Sequence, residues 1–545
     1  MRGEEKMKKL TELKFEELTT AQKIGMVMAG IINPIRKGEE DEYGTLDENI
    51  DFVIDLIKKH SLGAVWVNPR MLKSCPDLMP RIKEAADYPI LIFTDAENGL
   101  GDYTIGRHNS IGVADSEEYA YAFGKVTAIT ARKMGYNVVC DPVLDLRDKA
   151  GPTGGPLRSL GPDKHRVTQL GAAIAQGLHD GGVLSVAKHY PSAFVPFDTH
   201  MGPSVSEESY ETIVDYKLYP YLELSKRGLI DGVMVGHTTV NAIDPERPSS
   251  VSKKVTDVIR NLGFDGFMIT DALDMMGLRA KYGDEKMKGM CIAGGVEFIL
   301  PWFSAKKAYF DLKKCYEAGM FTDERLDEAV KRVLAAQHKA NLLSEPKFTE
   351  ITEEDVANVR AINENSICVI TDEGVPTTLP RDGKHFFAVV VKSETDIKDG
   401  GKVTVDTFTN HWYKPEKIFK QLGELFPNST IHAISEFPSA RQNAELLSAS
   451  LGYKDVVFIT FAEAPAYTGS DRFTPRLIAL MDAMQLTGRI TTQLHFGTPF
   501  VLDELPHIPR RLIGCVSEGS VSVGLDVLAG VKESKGKMTY KVNLK

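Results

Sequence analysis

Residues 182–189 read GVLSVAKH, and residues 266–271 read GFMITD. Each segment is a short, nearly continuous apolar run that begins at a glycine and ends in polar side chains. Such runs are typical of parallel strands buried on both faces, because a strand with one exposed face would alternate apolar and polar residues. The two segments therefore predict an α/β architecture built on a parallel sheet.

Six further runs of this kind occur in the first two-thirds of the chain. The eight together are 24–29, 63–67, 90–95, 136–141, 182–189, 232–237, 266–271 and 296–301. Segments with helical periodicity separate most of them, for example 116–134 and 167–178. Eight strands that alternate with helices predict a (β/α)8 TIM-like barrel, which we expect to span residues 8–343.

A second alternation of strands and helices follows the barrel. The segment 344–360 begins SEPK and is interpreted as a linker. The strand candidates after it are 367–371, 386–391, 430–434, 455–461, 489–496 and 511–516. This pattern predicts a smaller α/β sandwich domain with a mostly parallel sheet over residues 361–545.

The composition of the 545 residues describes an ordinary globular protein, with 43% hydrophobic residues and a formal charge of −10. A net negative charge argues against nucleic acid or an anionic membrane as partner. The six cysteines are scattered and form no C-x-x-C pair, so neither a disulfide framework nor a zinc site is expected. The N-terminus lacks a signal-peptide pattern and no long apolar run occurs, which predicts a cytoplasmic protein without a membrane span.

Polar residues recur where the predicted barrel strands end. They are Asp95 with Glu97, Asp141 with Asp145, Lys188 with His189, His237 and Asp271. Because the carboxyl ends of parallel barrel strands meet on one face, these side chains are expected to line one pocket. Acids, a lysine, an arginine (Arg158) and histidines without a glycine-rich phosphate loop suit a small polyhydroxylated ligand, which needs many directional hydrogen bonds.

Two motifs identify a family. KHYP at 188–191, followed by DTH at 198–200, resembles the K-H-F-P…D-S-H signature of glycoside hydrolase family 3 in its β-N-acetylhexosaminidase branch. GFDG at 263–266 and ITDALDM at 269–275 resemble the nucleophile segment of that family. Further pieces follow in the family's order, namely LYPY at 218–221, MVGH at 234–237 and PSSVS at 248–252, with GTPF at 497–500 as a weaker match in the second domain.

The resemblance implies a retaining mechanism without metal or organic cofactor. It implies that Asp271 is the nucleophile that forms a covalent glycosyl-enzyme, and that His200 is the acid/base. Asp198 lies two residues before His200 and can orient the imidazole and stabilise its protonated form. The resemblance further implies that the sugar is bound by four residues, Asp95, Arg158, Lys188 and His189; it leaves His237 without a role.

Two segments depart from the family pattern. The branch usually shows D-x-E-G-G-R followed by a second arginine, whereas residues 95–103 read DAENGLGDY, with Leu100 and Tyr103 where the arginines would stand. The acid/base loop reads PSAFVPF at 191–197 and is more apolar than usual. It would either close over a hydrophobic aglycone or pack on the barrel rim. The substrate therefore need not be the cell-wall fragment that this branch commonly recycles.

Three rival interpretations remain open. A histidine acid/base repels phosphate less than a glutamate would, so a β-N-acetylglucosaminide phosphorylase is one alternative. A catalytically inactive sugar-binding relative is another, although Asp271, Asp198 and His200 are all present. β-Glucosidase specificity is disfavoured, because those relatives generally lack D-(S/T)-H. The weaker motifs of the second domain favour a structural or dimer-forming role, so a homodimer is the assembly considered.

Overall fold

The computed structural model describes residues 10–33, 40–149, 151, 155–302, 304–391, 394–398, 402–406, 414–463 and 472–541. The chain divides into two compact units, each built from several segments. The first unit consists of Met1–Tyr103, Ala120–Leu146 and Lys164–Val356. The second consists of Thr104–Tyr119, Arg147–Asp163 and Ala357–Lys545. The domain boundaries expected from the sequence stay a prediction.

The first unit contains an eight-stranded parallel sheet whose neighbours follow chain order. The strands are β1 (Ala29–Ile32), β2 (Ala64–Val67), β3 (Leu91–Thr94), β4 (Val138–Val139), β5 (Leu184–Tyr190), β6 (Gly232–Val235), β7 (Phe267–Ala272) and β8 (Phe298–Leu300). A parallel bridge between Met28 and Ile299 joins the first strand to the last and closes the ring. The predicted (β/α)8 barrel is confirmed.

Helices alternate with these strands along the chain, as a (β/α)8 fold requires. The longer ones are Thr20–Met26, Leu46–Lys58, Leu78–Ala85, Glu117–Met134, Lys164–Asp180, Tyr219–Lys226, Lys253–Asn261, Met276–Tyr282, Asp284–Ala293, Ala305–Glu317 and Asp323–Leu342. Shorter helical segments are Phe15–Glu17, Glu40–Tyr43, Met71–Ser74, Thr212–Lys217 and Ser249–Val251. No helix in the described part of the chain is both long and apolar enough to cross a lipid bilayer.

Large side chains fill the inside of the barrel. The rings of Phe93, Phe267 and Phe298 pack edge to face with centroids 5.5–5.9 Å apart. Glycines make room for them: a Cβ on Gly232 would lie 2.5 Å from the Phe267 ring, and one on Gly63 would lie 2.9 Å from the Phe298 ring. The barrel is thus a packed core, and a ligand can bind only at one of its ends.

The first predicted strand is misplaced. Residues 24–26 are buried as expected, but they form the last turn of the helix Thr20–Met26, and the strand lies further on at Ala29–Ile32. Thr19 and Gln22 form a capping box at the start of this helix. The pattern T-x-x-Q is a helix-start signal that outweighs the apolar run behind it.

The second unit contains a six-stranded sheet. Its strands are β9 (Cys368–Thr371), β10 (His385–Val391), β11 (Thr430–Ser435), β12 (Asp455–Ala462), β13 (Ile490–Gly497) and β14 (Arg510–Gly514). Their order in the sheet is β9-β14-β13-β12-β10-β11. Only the β9–β14 pair of this sheet is antiparallel. Two further strands, Glu394–Lys398 and Lys402–Asp406, pair with each other.

Two hydrophobic clusters cover the two faces of this sheet. One joins Phe387 and Val389 to the helices Pro415–Leu425 and Glu518–Leu528. The other joins Phe386 and Ala388 to Ala440–Ala449 and Pro475–Gln485. Successive residues of β10 therefore point to opposite helical layers, which confirms the predicted α/β sandwich with a mostly parallel sheet.

Candidate active site

Six polar side chains meet at the carboxyl end of the barrel strands. Asp95 follows β3, Asp145 lies beyond β4, Lys188 and His189 belong to β5, His237 follows β6, and Asp271 belongs to β7. Lys188 pairs with Met234 in the register of β5 and β6, and Thr270 pairs with Val235 in that of β6 and β7. The strand register thus brings residues that are distant in sequence to one end of the barrel.

Lys188 is buried between two carboxylates. Its side chain is only 2% exposed, and its Nζ donates to Asp95 Oδ1 at 2.6 Å and lies 3.0 Å from Glu97 Oε2. A buried ammonium group requires such partners, because an unpaired buried charge is strongly destabilising. Glu97 was recognised with Asp95 as a polar strand end, but the sequence did not indicate that it pairs with Lys188.

His189 is held by Asp145 through two hydrogen bonds. Asp145 Oδ1 accepts from the His189 backbone N–H at 3.1 Å, and Asp145 Oδ2 lies 2.9 Å from His189 Nδ1. The carboxylate therefore favours the proton on Nδ1 and directs Nε2 away from Asp145. Asp145 was recognised as a polar strand end, but the sequence did not indicate that it orients His189.

Asp271 is stabilised as a carboxylate. Its Oδ1 accepts a hydrogen bond from the Ala272 backbone N–H at 2.8 Å. Burial by itself would raise the pKa of the Asp271 carboxyl, but the imidazoles of His189, His237 and His200, together with the Ala272 amide, lower this pKa below its ordinary value. Asp271 is consequently ionised at neutral pH, as a nucleophile requires.

His237 fixes the backbone next to Asp271. It is 1% exposed, its Nε2 lies 3.1 Å from the Ala272 carbonyl oxygen, and its Nδ1 lies 2.8 Å from Ser250 Oγ. Burial lowers the pKa of His237 below its ordinary value, although the Asp271 carboxylate acts in the opposite direction, and Nε2–H donates to the carbonyl oxygen. The sequence left His237 without a role, and the structure places it as a support of Asp271.

Asp198 and His200 form a hydrogen-bonded pair on the loop after β5. Asp198 Oδ1 lies 2.8 Å from His200 Nδ1 and accepts from the His200 backbone N–H at 2.9 Å. The Asp198 side chain is fully buried, whereas that of His200 is 26% exposed. The imidazole therefore faces the solvent side of the pair, with its Nδ1 fixed by the carboxylate.

The loop with this pair contacts the segment that follows Asp271. The Gly277 N–H donates to the Thr199 carbonyl oxygen at 2.8 Å, and the Met276 N–H donates to the His200 carbonyl oxygen at 3.3 Å. A Cβ on Gly277 would lie 3.0 Å from the Thr199 oxygen, so this approach leaves little room for a side chain. The contacts bring His200 into the electrostatic environment of Asp271.

The two segments that depart from the family pattern differ in how far their side chains are exposed to solvent. Leu100, which stands where the family has an arginine, is 5% exposed and belongs to the core. In the segment 191–197, Ala193 is 3% exposed, whereas Phe197 is 49% exposed. The beginning of this segment is thus buried, and its outer part presents an apolar side chain to solvent.

Arg158, the remaining predicted binding residue, belongs to the second unit. It ends the short helix Gly155–Arg158, and its carbonyl oxygen lies 3.1 Å from His108 Nδ1. The residues brought together at the barrel mouth are thus Asp95, Lys188, His189 and Asp271, with the Asp198–His200 pair on the adjoining loop.

Within the described ranges, no group of three or more His, Cys, Asp or Glu side chains is arranged to hold a metal ion.

The profile of the glycosyl hydrolase family 3 N-terminal domain matches residues 48–336, which is more than half of the chain. The chain belongs to glycosyl hydrolase family 3. This confirms the family inferred from the sequence motifs and makes the chain a glycoside hydrolase by family. The match covers every predicted site residue.

Curated relatives of this family 3 chain include a protein of Cellulomonas fimi named beta-N-acetylglucosaminidase/beta-glucosidase. It is 24% identical over 402 residues, which cover 67% of this chain and 69% of the relative. Beta-hexosaminidase LpqI of Mycobacterium tuberculosis is 32% identical over 213 residues, which cover 37% of this chain. The match spans about half, 54%, of that relative's length.

Two solved structures share the two-domain fold. One is a family 3 beta-N-acetylglucosaminidase from Paenibacillus sp. str. FPU-7, with a TM-score of 0.76 and 22% identity; the match covers 97% of this chain and 100% of that chain. The other is beta-glucoside phosphorylase BglX, with a TM-score of 0.76, 20% identity, and coverage of 97% and 95%. At this identity the likeness extends to the fold alone.

Proposed function

We propose that the chain is a retaining β-N-acetylhexosaminidase that releases terminal N-acetylhexosamine, with N-acetylglucosamine as its preferred sugar. The observation that carries this proposal is the pairing of an ionised carboxylate, Asp271, with the Asp198–His200 pair in its electrostatic surroundings. Retaining glycosidases need these two functions, a nucleophile below the anomeric carbon and a proton donor at the glycosidic oxygen.

The reaction would proceed in two steps. In the first, a carboxylate oxygen of Asp271 forms a bond to C1 while the C1–O bond to the leaving group breaks, and His200 donates a proton from Nε2 to the departing oxygen. In the second, His200 accepts a proton from water, the water oxygen bonds to C1, and Asp271 is released. Asp198 keeps the Nδ1 proton in place throughout and stabilises the imidazolium.

The sugar would be bound by the groups at the barrel mouth. Asp95 accepts hydrogen bonds from hydroxyl groups far from the scissile bond, and Lys188 and His189 donate to the ring substituents. Glu97 and Asp145 act through their partners, since they fix the Lys188 ammonium group and the His189 imidazole. Arg158 stays in the proposal as a further sugar ligand.

Support for N-acetylglucosamine comes from the names of the relatives together with the D-T-H motif. The Cellulomonas relative carries both an N-acetylglucosaminidase and a β-glucosidase name, so glucose is the sugar to compare. We also propose a small carbohydrate, such as a glycoside or a cell-wall fragment, as substrate, and a homodimer as the assembly.

A screen of chromogenic glycosides tests the proposal. We expect turnover of p-nitrophenyl β-N-acetylglucosaminide above that of the N-acetylgalactosaminide and the glucoside, and Asp271→Asn should abolish it. A 5-fluoro-N-acetylglucosaminyl donor should leave a sugar on the peptide that contains Asp271, detected by mass spectrometry. Binding of N-acetylglucosamine without turnover of any glycoside would instead identify an inactive sugar-binding relative.

Phosphorolysis is a second candidate that one observation favours. The Asp198 carboxylate is fully buried behind the His200 imidazole, so an anion that approaches the glycosyl-enzyme meets the ring and not a carboxylate. A phosphate oxygen would then attack C1 and release Asp271, which yields a sugar 1-phosphate. Product analysis with and without inorganic phosphate distinguishes this reaction from hydrolysis.

A further inference from the structure

The loop between β5 and residue 206 carries the proposed acid/base, yet core packing does not hold its outer part. Phe197 is 49% exposed and Met201 is 47% exposed. A loop with large exposed side chains gains little from burial, so polar anchors must fix its position. Such an anchor lies four residues before Asp198, at the Phe194 amide.

Glu208 supplies this anchor. Its Oε2 accepts a hydrogen bond from the Phe194 backbone N–H at 2.6 Å and another from Ser206 Oγ at 3.3 Å. The Glu208 side chain is 15% exposed, so these bonds form away from bulk water. Charge-assisted hydrogen bonds to a shielded carboxylate are among the stronger polar contacts in a protein.

Lys217 fixes Glu208 in turn. The Lys217 Nζ lies 3.5 Å from Glu208 Oε1 and donates to the Leu146 carbonyl oxygen at 2.8 Å, and its side chain is 4% exposed. Because the ammonium group is buried, it needs a nearby negative charge, and Glu208 provides one.

This pair connects the loop to the segment that orients His189. Leu146 follows Asp145, whose carboxylate holds His189 by two hydrogen bonds. The Leu146 N–H donates to Ser192 Oγ at 3.1 Å, which ties the start of the acid/base loop to the same residue. One polar network therefore links the sugar-binding histidine with the loop that carries His200.

We propose that Glu208 is a positioning residue for the acid/base: it holds the 191–204 loop, through the Phe194 amide and Lys217, where His200 can protonate the leaving group. This inference rests on the proposed function. Glu208 does not itself reach the substrate; it acts through the loop.

The test compares two aryl N-acetylglucosaminides by kcat/KM. A 2,4-dinitrophenolate leaves without a proton, whereas a phenolate needs the general acid. We expect Glu208→Ala to lower kcat/KM for the phenyl substrate about 10²-fold, as a misplaced catalytic group does. The value for the dinitrophenyl substrate should fall by no more than a few-fold.

Glu207→Ala is the matched control. Glu207 is the neighbouring, exposed glutamate, and its Oε1 accepts from Asn241 Nδ2 at 2.7 Å. We expect it to leave both substrates at the wild-type rate. Glu208→Gln retains an oxygen that accepts from the Phe194 amide but loses the charge, so it should recover a large part of the phenyl activity.

The outcomes distinguish a failure of the positioning role of Glu208 from a failure of the proposed function. An equal loss on both substrates, or no loss on either, in a folded Glu208→Ala protein overturns the positioning role. If that variant does not fold, Glu208→Leu, which keeps a side chain of similar size but removes the acceptor for the Phe194 amide, decides in its place, and a wild-type ratio between the substrates then overturns the inference. If the wild type turns over neither substrate, the proposed function fails. Hydrogen exchange at the Phe194 amide then tests the anchor itself, and unchanged exchange in Glu208→Leu overturns it.

Discussion

At the scale of single residues, Asp271 shows how the surroundings determine the chemistry of a carboxylate. Burial acts against its ionisation, but three histidines and one amide outweigh burial. A nucleophile with a depressed pKa is ionised over a wider pH range than an ordinary aspartate.

The lowered pKa of Asp271 predicts how kcat/KM depends on pH in the acidic range. The reactive carboxylate persists until the pH falls through the lowered pKa of Asp271, so kcat/KM should stay high down to the range where aspartates ordinarily titrate, about pH 4. The measurement is kcat/KM for p-nitrophenyl β-N-acetylglucosaminide as a function of pH. Circular dichroism at each pH separates titration from acid unfolding. An acid limb clearly above the ordinary aspartate range, in folded protein, contradicts the expectation.

Two supporting residues of this site lie beyond what the sequence could assign. Asp145 was recognisable as a polar strand end, and His237 as part of a family segment. Their partners, His189 and Ser250, are 44 and 13 residues away along the chain. A polar residue at a strand end predicts a pocket, but its hydrogen-bond partner depends on the packing of neighbouring strands and carries no local pattern.

At the scale of elements, the barrel was predictable because buried parallel strands leave continuous apolar runs. The run 24–29 is the exception, since residues 24–26 belong to a helix whose Thr19–Gln22 capping box marks its start. Apolar runs of this length suit a buried helix end as well as a strand. The contact between the 198–200 loop and the helix Met276–Tyr282 could not be predicted from the sequence. Nothing in the sequence distinguishes Gly277 from a glycine that makes no close contact.

That contact predicts the effect of Gly277→Ala. The added Cβ would lie 3.0 Å from the Thr199 oxygen and 3.2 Å from the Gly202 oxygen, so the loop must move by a few tenths of an ångström. We expect kcat/KM for phenyl β-N-acetylglucosaminide to fall about tenfold, because His200 moves with the loop. The measurement is the same kinetic comparison with the 2,4-dinitrophenyl substrate, which should be less affected.

Gly423→Ala is the control for this substitution. Gly423 lies in the helix Pro415–Leu425, and its added Cβ would meet nothing within 4 Å. Alanine should stabilise that helix by about 0.5–1 kcal/mol and leave kcat/KM unchanged. Wild-type kinetics in Gly277→Ala would show that the loop accommodates the methyl group without displacing His200.

At the scale of the whole molecule, the second unit combines three segments that are far apart in the chain. Residues 104–119 and 147–163 lie between barrel strands along the chain, yet they belong with residues 357–545. Within this unit, Cys515 Sγ lies 3.2 Å from Ser110 Oγ and 2.9 Å from Asn109 Oδ1, and Tyr540 Oη lies 3.3 Å from the Ser159 carbonyl oxygen. Strand patterns in a sequence reveal which elements exist and not which segments pack together, so this grouping of segments could not be read from the sequence.

An ion pair between Arg107 and Glu463 allows the contribution of the segment 104–119 to the stability of the second unit to be measured. Their side chains are 12% and 7% exposed, so Arg107→Ala would leave a shielded glutamate without its guanidinium partner. Loss of one partner of a buried pair costs about 3–5 kcal/mol, and we expect the free energy of unfolding of the second unit to fall by that amount in denaturant titrations. Arg441→Ala removes an exposed arginine, 87% accessible, from its pair with Glu445, and should lower the free energy of unfolding far less, because solvent screens such a pair. Adding Glu463→Gln to Arg107→Ala removes the shielded negative charge and should recover part of the loss. Equal effects of the two arginine substitutions would mean that the segment 104–119 contributes no more to the second unit than a surface contact does.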